Sequence, residues 1–65
     1  MFNLRGKVYS RFKSITAMAR TLGWTKQKAS RIVNGLQEPT IDDVKSLSDA
    51  LDEKFEDVAA FFLHN

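Results

Sequence analysis

The 65 residues contain no cysteine, which excludes disulfide bridges and thiolate metal sites, and a chain of this length buries only a modest core. No apolar run approaches the roughly 20 residues that a membrane span needs, and Met1 to Arg5 lack the pattern of a signal peptide. The net charge of +2 is too small to indicate a partner by itself. We therefore expect one soluble cytoplasmic domain over residues 1–65, with His64-Asn65 as a natural end.

The charges are divided unevenly along the chain. Residues 1–36 carry eight Arg and Lys and no acidic residue, whereas residues 37–65 carry eight acidic residues and two lysines. Unpaired positive charge over half of a small protein suggests a polyanionic partner, because each neutralised phosphate releases counterions. A basic surface that the fold pairs with the acidic half is the alternative interpretation.

The first predicted helix begins after Asn3, a residue type favoured at helix N-caps, and runs from Leu4 to about Phe12. Leu4, Val8 and Phe12 recur every four residues, which places them on one helical face. Gly6 within this helix costs about 1 kcal/mol relative to alanine.

A second helix is predicted to begin after Ser14 and to end at Gly23, where a residue with positive φ commonly terminates a helix. Its predicted buried face carries Ile15, Met18, Ala19 and Leu22. Thr25 is the predicted N-cap of a third helix, which Asn34-Gly35 closes. The apolar positions of this third helix are Ala29, Ile32, Val33 and Leu36. Trp24, between the two helices, is interpreted as packing over the edge of the core rather than stacking on a ligand.

The face of the third helix opposite its apolar positions is polar and free of acidic residues. On a helical wheel Gln27, Arg31 and Asn34 lie on that face, with Lys28 and Ser30 at its flanks. Glutamine and asparagine pair bidentately with adenine, and arginine with guanine, in the major groove of DNA. An ordinary solvated helix surface is the alternative, although such surfaces usually mix glutamate with lysine.

The second half of the chain predicts two more helices. Pro39 restricts the residue before it, Glu38, to an extended conformation. Thr40 then caps a fourth helix, whose inward stripe is Ile41, Val44, Leu47 and Leu51. A fifth helix is predicted from Phe55 to about Leu63. No segment alternates like a strand, so the expected fold is all-α, a compact bundle of five short helices.

Residues 14–34 have the organisation of a helix-turn-helix, two short helices joined by a turn that contains glycine. Ala19 and Gly23 have the spacing of this motif, and residues 30–35 (Ser-Arg-Ile-Val-Asn-Gly) end it. Together with Pro39-Thr40 and residues 47–51 (Leu-Ser-Asp-Ala-Leu), they resemble the Cro/repressor-type helix-turn-helix domains of phages and bacteria, also called the XRE family. The opening residues 3–8 are similar to those of small phage-encoded members. The resemblance implies a lambda-repressor-like fold.

The resemblance also implies which residues contact double-stranded DNA. Base contacts would come from Lys26, Gln27, Lys28, Ser30 and Arg31, and backbone contacts from Ser14, Thr16, Thr25, Asn34 and Gln37. Three features depart from the family pattern. Ile15 replaces a glutamine that often contacts DNA, the segment from Leu4 to Ile15 is about three residues longer than usual, and Glu53 replaces a small apolar residue, so we expect a rearranged turn there.

The function implied by the resemblance is a transcriptional regulator, a phage or prophage repressor or Cro protein, that binds operator DNA as a homodimer in the bacterial cytoplasm. Phe61, Phe62 and Leu63 are candidate dimer contacts, and the alternative is that both rings cap the core of the monomer. Two other functions remain open. One is an antitoxin whose apolar last helix holds a toxin, and the other is a protein-interaction module that has lost DNA binding.

Catalysis and metal binding are not expected. His64 has no second His, Cys or acidic cluster beside it, and the chain has neither a glycine-rich phosphate loop nor a nucleophile elbow. A bundle of this size also has little room for a substrate pocket. We therefore predict no catalytic residue, no metal, no cofactor and no small-molecule substrate.

Overall fold

A computed structural model describes residues 3–63, which form five α-helices joined by short turns, with no strand among these residues. The helices are α1 (Leu4–Phe12), α2 (Ile15–Leu22), α3 (Lys26–Val33), α4 (Ile41–Leu51) and α5 (Phe55–Leu63). The predicted all-α bundle of five short helices is confirmed. None of these helices has the length and apolar character to cross a membrane.

Side-chain caps begin the first four helices at the predicted residues. Each cap oxygen accepts a hydrogen bond from the main-chain N–H three residues later, which satisfies a donor that the first helical turn leaves unpaired. The cap residues are Asn3, Ser14, Thr25 and Thr40, with donor–acceptor distances of 2.8, 3.0, 3.1 and 3.1 Å. The helix boundaries thus follow from local sequence.

The core lies where all five helices converge. Its fully buried side chains include Leu4, Met18, Ile32, Leu47 and Val58, one from each helix. Small residues, Ala19 of α2 and Ala29 of α3, are buried beside them and let these two helices approach closely. Phe12, Ile15, Leu22, Trp24, Ala59, Phe61 and Phe62 are partly buried against this core. The expectation that Trp24 packs over the edge of the core is confirmed.

Two residues predicted to be buried are exposed, Leu36 by 77% and Ile41 by 71%. Leu36 lies beyond the end of α3 at Val33, so the angular spacing of a helix no longer determines its direction. Ile41 is the first residue of α4, and Cα–Cβ bonds in a helix tilt toward its N-terminus. Its side chain therefore projects past the helix end instead of onto the core.

Two of the three departures from the family pattern involve turns, and both turns are well defined. The longer first segment ends in Lys13, whose φ of 70° terminates α1 in the left-handed region. Between α4 and α5, Asp52 adopts a φ of 55° and the Glu53 N–H donates to the carbonyl of Ser48. The Glu53 carboxylate forms an ion pair with Lys7 of α1. The charged residue at this turn thus connects the α4–α5 turn to α1.

Candidate nucleic-acid interface

The turn between α2 and α3 sets the direction of the third helix. Gly23 has a φ of 72°, and its main-chain N–H donates toward the last carbonyls of α2. The main-chain N–H of Trp24 donates to the carbonyl of Ala19 at 2.9 Å. Buried Ala29, Ile32 and Val33 then fix one side of α3 against the core. Because one side of the helix is held in this way, its opposite side faces solvent.

Three of the predicted base-contacting residues of α3 lie at the surface without side-chain partners in the part of the chain that the structure describes. Lys26, Gln27 and Arg31 are exposed, and within residues 3–63 none of them has a hydrogen bond or ion pair with another side chain. Gln27 and Arg31 are four residues apart and therefore neighbours on the helix surface. α3 therefore offers one amide and two cations whose hydrogen-bonding groups are available to a ligand.

Lys28, also predicted to contact bases, has partners inside the protein. Its ammonium donates to Oδ1 of Asp43 on α4 at 2.9 Å and lies 4.7 Å from the centre of the Trp24 ring. Only 34% of the Lys28 side chain is exposed. Its charge is therefore directed toward α4 and the α2–α3 turn.

Asp43 is the buried partner in this contact, with 8% of its surface exposed. Its second carboxylate oxygen accepts the Thr40 N–H at 3.0 Å, which completes a reciprocal capping box with the Thr40 hydroxyl. Burial raises the pKa of the Asp43 carboxyl, but the hydrogen bonds from Thr40 and the charge of Lys28 outweigh it, so the pKa lies below its usual value. Asp43 is thus a fixed negative charge at the beginning of α4.

Ser30 and Asn34 are joined to each other and to the first helix. The Asn34 amide donates to the Ser30 hydroxyl at 3.2 Å, and the Asn34 side-chain oxygen accepts a hydrogen bond from the Arg5 guanidinium. All three residues belong to the basic half of the chain. These contacts connect the C-terminal end of α3 to α1.

The predicted backbone-contacting residues lie mainly at helix ends. Ser14 and Thr25 use their oxygens as cap acceptors, which leaves each hydroxyl able to donate. Thr16 in the first turn of α2 and Gln37 in the segment after α3 are exposed. The N-terminus of α2 carries main-chain N–H groups and the positive end of the helix dipole, which favour an anion such as phosphate.

Two residues of this region, Arg5 and Asp43, were not among the predicted site residues. The sequence does indicate a structural role for Asp43, because a threonine followed three residues later by an acidic residue is the pattern of a capping box. No local pattern connects Arg5 with Asn34, because 29 positions separate them.

The three candidate dimer contacts occupy different environments. Phe61 and Phe62 pack edge to face, 5.3 Å apart, and both lie partly buried against the core. Phe62 and the 83%-exposed Leu63 also line an open apolar groove with residues of α4 and α5. The groove is lined by Glu38, Pro39, Ile41, Val44, Phe55, Ala59, Phe62 and Leu63.

The described residues contain no group of three His, Cys, Asp or Glu side chains placed to hold a metal ion. His64, the one histidine of the chain, lies outside the described residues.

One comparison with known proteins identifies the family of this chain. A protein-family model described as Helix-turn-helix matches residues 13–58, more than two thirds of the chain. No curated protein and no solved structure matches the chain. The matched segment begins just before the Ser14 cap and contains α2, the Gly23 turn, α3 and α4. The chain therefore belongs to the helix-turn-helix family of the Cro and XRE type, a family of DNA-binding domains.

Proposed function

We propose that this protein is a transcription regulator that binds a specific double-stranded DNA sequence by placing α3 in the major groove. The observation that carries the proposal is the division of α3 into a buried side and an opposite side with Gln27 and Arg31 available to a ligand, together with the exposed Lys26 at the beginning of the helix. A major groove about 12 Å wide admits an α-helix. Such a helix needs hydrogen-bonding side chains without partners on its outer side, and α3 has them.

Gln27 and Arg31 are the residues that we assign to base recognition. The carboxamide of Gln27 matches the donor–acceptor pattern of adenine, and the guanidinium of Arg31 matches the two acceptors of guanine. One helical turn separates them, so they reach neighbouring base pairs. Lys26, in the first turn of α3, reaches a guanine or a phosphate. Lys28 and Ser30, the other two residues nominated from the sequence, have partners within the protein.

Affinity comes mainly from the phosphate backbone in this proposal. Ser14, Thr16 and the N–H groups at the beginning of α2 bind one phosphate, and Thr25, Asn34 and Gln37 contact others. Of the eight positive charges of residues 1–36, Lys7 and Lys28 are paired with Glu53 and Asp43, and the other six add attraction that depends on salt. The acidic second half of the chain is then oriented away from the DNA.

A second copy of the chain occupies the apolar groove in this proposal. Ile41 and Leu63 are large apolar residues that are 71% and 83% exposed and line the same groove as Phe62. A two-fold axis through this groove would cover the same surface on both copies. Such a homodimer binds two half-sites about one turn of DNA apart, the geometry of a Cro or repressor protein on a pseudo-palindromic operator.

Selection from a pool of randomised duplexes tests this function. The wild-type chain should enrich one motif with two symmetric half-sites about 10 bp apart, centre to centre. Titration of the enriched duplex at several salt concentrations should give a log–log slope of several units. Absence of an enriched motif, or equal affinity for random DNA, would overturn the proposal and favour a protein partner, such as a toxin, for the apolar groove.

A further inference from the structure

Lys28 differs from the other cations of α3 because its charge is used inside the protein. Its ammonium lies 2.9 Å from the Asp43 carboxylate and 4.7 Å from the centre of the Trp24 ring. Lys26 and Arg31, on the same helix, have no such partner among the described residues. A lysine that read a base would have to break both contacts, and it would leave a buried carboxylate with one partner fewer.

The two partners of Lys28 are themselves held in place. Asp43 is 8% exposed and bonded to the Thr40 N–H, so its carboxylate is fixed to the first turn of α4. Trp24 is packed against the core, and its main-chain N–H donates to Ala19. A fixed carboxylate on one helix and a fixed ring in the preceding turn define the position of the lysine ammonium between them.

The contact matters because α3 has few other connections to α4. The backbone of α3 packs chiefly on α2, whereas α4 packs on α5, α2 and α1. The Lys28–Asp43 ion pair spans the two helices that are otherwise little in contact. At the other end of α3, Asn34 is bonded to Arg5 of α1. The helix is therefore held by a polar contact near each end in addition to its apolar side.

We propose that Lys28 is a positioning residue that sets the orientation of α3 relative to α4, and that it does not read a base. The proposal rests on the proposed DNA-binding function and refines it. Base recognition is then confined to Lys26, Gln27 and Arg31. Asp43 takes part in DNA binding without contacting DNA, because it holds the lysine that orients the helix. A helix that must place Gln27 and Arg31 against base edges tolerates little angular freedom.

Three single variants separate positioning from base reading. Lys28→Met removes the ammonium and keeps an unbranched stem. Asp43→Asn leaves Lys28 in place and retains an oxygen that can accept the Thr40 N–H, so the capping box is conserved. Lys26→Met is the matched control, the same substitution on the same helix at a residue without an intramolecular partner. Thermal unfolding of each variant identifies a temperature at which all of them are folded, and binding is measured at that temperature. If Lys28→Met does not fold, the proposal is tested with Asp43→Asn.

Each variant is titrated with the duplex that the wild type selects, and its own selection is sequenced. We expect Lys28→Met and Asp43→Asn each to weaken binding by roughly 3- to 30-fold, with the motif and the salt slope of the wild type. The double variant Lys28→Met/Asp43→Asn should bind DNA no more weakly than the weaker-binding of the two single variants, because both substitutions remove the same contact. Lys26→Met should instead alter one position of the motif or lower the salt slope by about 0.9.

Three results would overturn the proposal in different ways. Lost preference at one base in Lys28→Met, with affinity unchanged or increased in Asp43→Asn, would make Lys28 a base-reading residue. Wild-type affinity in both folded variants would limit the ion pair to a role in stability. A wild-type chain that enriches no sequence would refute the proposed function itself, and this outcome is read from the wild type before any variant is tested.

Discussion

Ile41 at the beginning of α4 and Leu63 at the end of α5 line the same apolar groove, although both side chains are largely exposed. The two residues add nothing to the core, since neither belongs to the residues packed in it. Large apolar side chains that cluster on a surface usually mark a site of association. None of the residues that line the groove belongs to α3, which suits a dimer that leaves the two proposed recognition helices uncovered.

Polar substitution in the groove should separate dimer formation from folding. The double variant Ile41→Gln/Leu63→Gln should weaken binding to a two-half-site operator by roughly tenfold or more, as loss of central interface contacts does. Its free energy of unfolding at low concentration should change by less than about 1 kcal/mol, because both positions are exposed. Sedimentation and titration against full and half operators measure these effects.

Leu36→Gln is the control for that experiment, since Leu36 is 77% exposed but does not line the groove. It should leave the oligomeric state unchanged. A dimer that survives the double variant would place the interface elsewhere.

Two glycines should respond to alanine in opposite directions. Gly23 has a φ of 72°, which alanine adopts at a cost of roughly 1–2 kcal/mol even though no atom lies near the added Cβ. Gly6 lies within α1, and an added Cβ would make an ordinary contact of 3.4 Å with the Asn3 cap. Gly6→Ala should therefore stabilise the fold by roughly 0.5–1 kcal/mol. Urea unfolding of both variants tests the backbone conformation assigned to the two glycines. A Gly23→Ala variant as stable as the wild type would contradict the positive φ at Gly23.

The Asp43 carboxyl should make stability depend on acidity. Its pKa is lowered in the folded state from the usual 3.8, so its bonds stabilise the protein fully above that value and are lost as the pH falls through the folded pKa. At neutral pH, Asp43→Asn should cost about 1–2 kcal/mol. The difference between wild type and variant should shrink as the pH falls below 3.8, as measured by urea unfolding across a pH series. A difference that stays constant with pH would show that the charge of Asp43 is not involved.

Local sequence was sufficient for the helices but not for the partners of their polar side chains. Caps such as Ser14 and Thr25 act over three residues, so spacing alone identifies them. Burial at helix ends is harder to predict, as the exposed Ile41 and Leu36 show, because it depends on where a helix stops and on the direction of its Cα–Cβ bonds.

The same limit applies to the candidate interface. The helical wheel separates the polar and apolar sides of α3, and the structure agrees for Gln27, Arg31 and Ala29. It does not show that Lys28 has a partner within the protein and that Lys26 has none among the described residues, since the partner of Lys28 is a carboxylate 15 residues further along the chain. Contacts of this kind depend on how helices pack, which a pattern within one helix does not contain.

The most direct test of the central claim compares Arg31→Ala with the wild type on two duplexes, the selected operator and a random sequence of equal length. If α3 reads bases through Arg31, the variant should lose about 1–3 kcal/mol on the operator and much less on random DNA. Its own selection should then lose preference at one position of the motif. An equal loss on both duplexes would show that Arg31 contacts only the phosphate backbone and would contradict the assignment of base recognition to this residue.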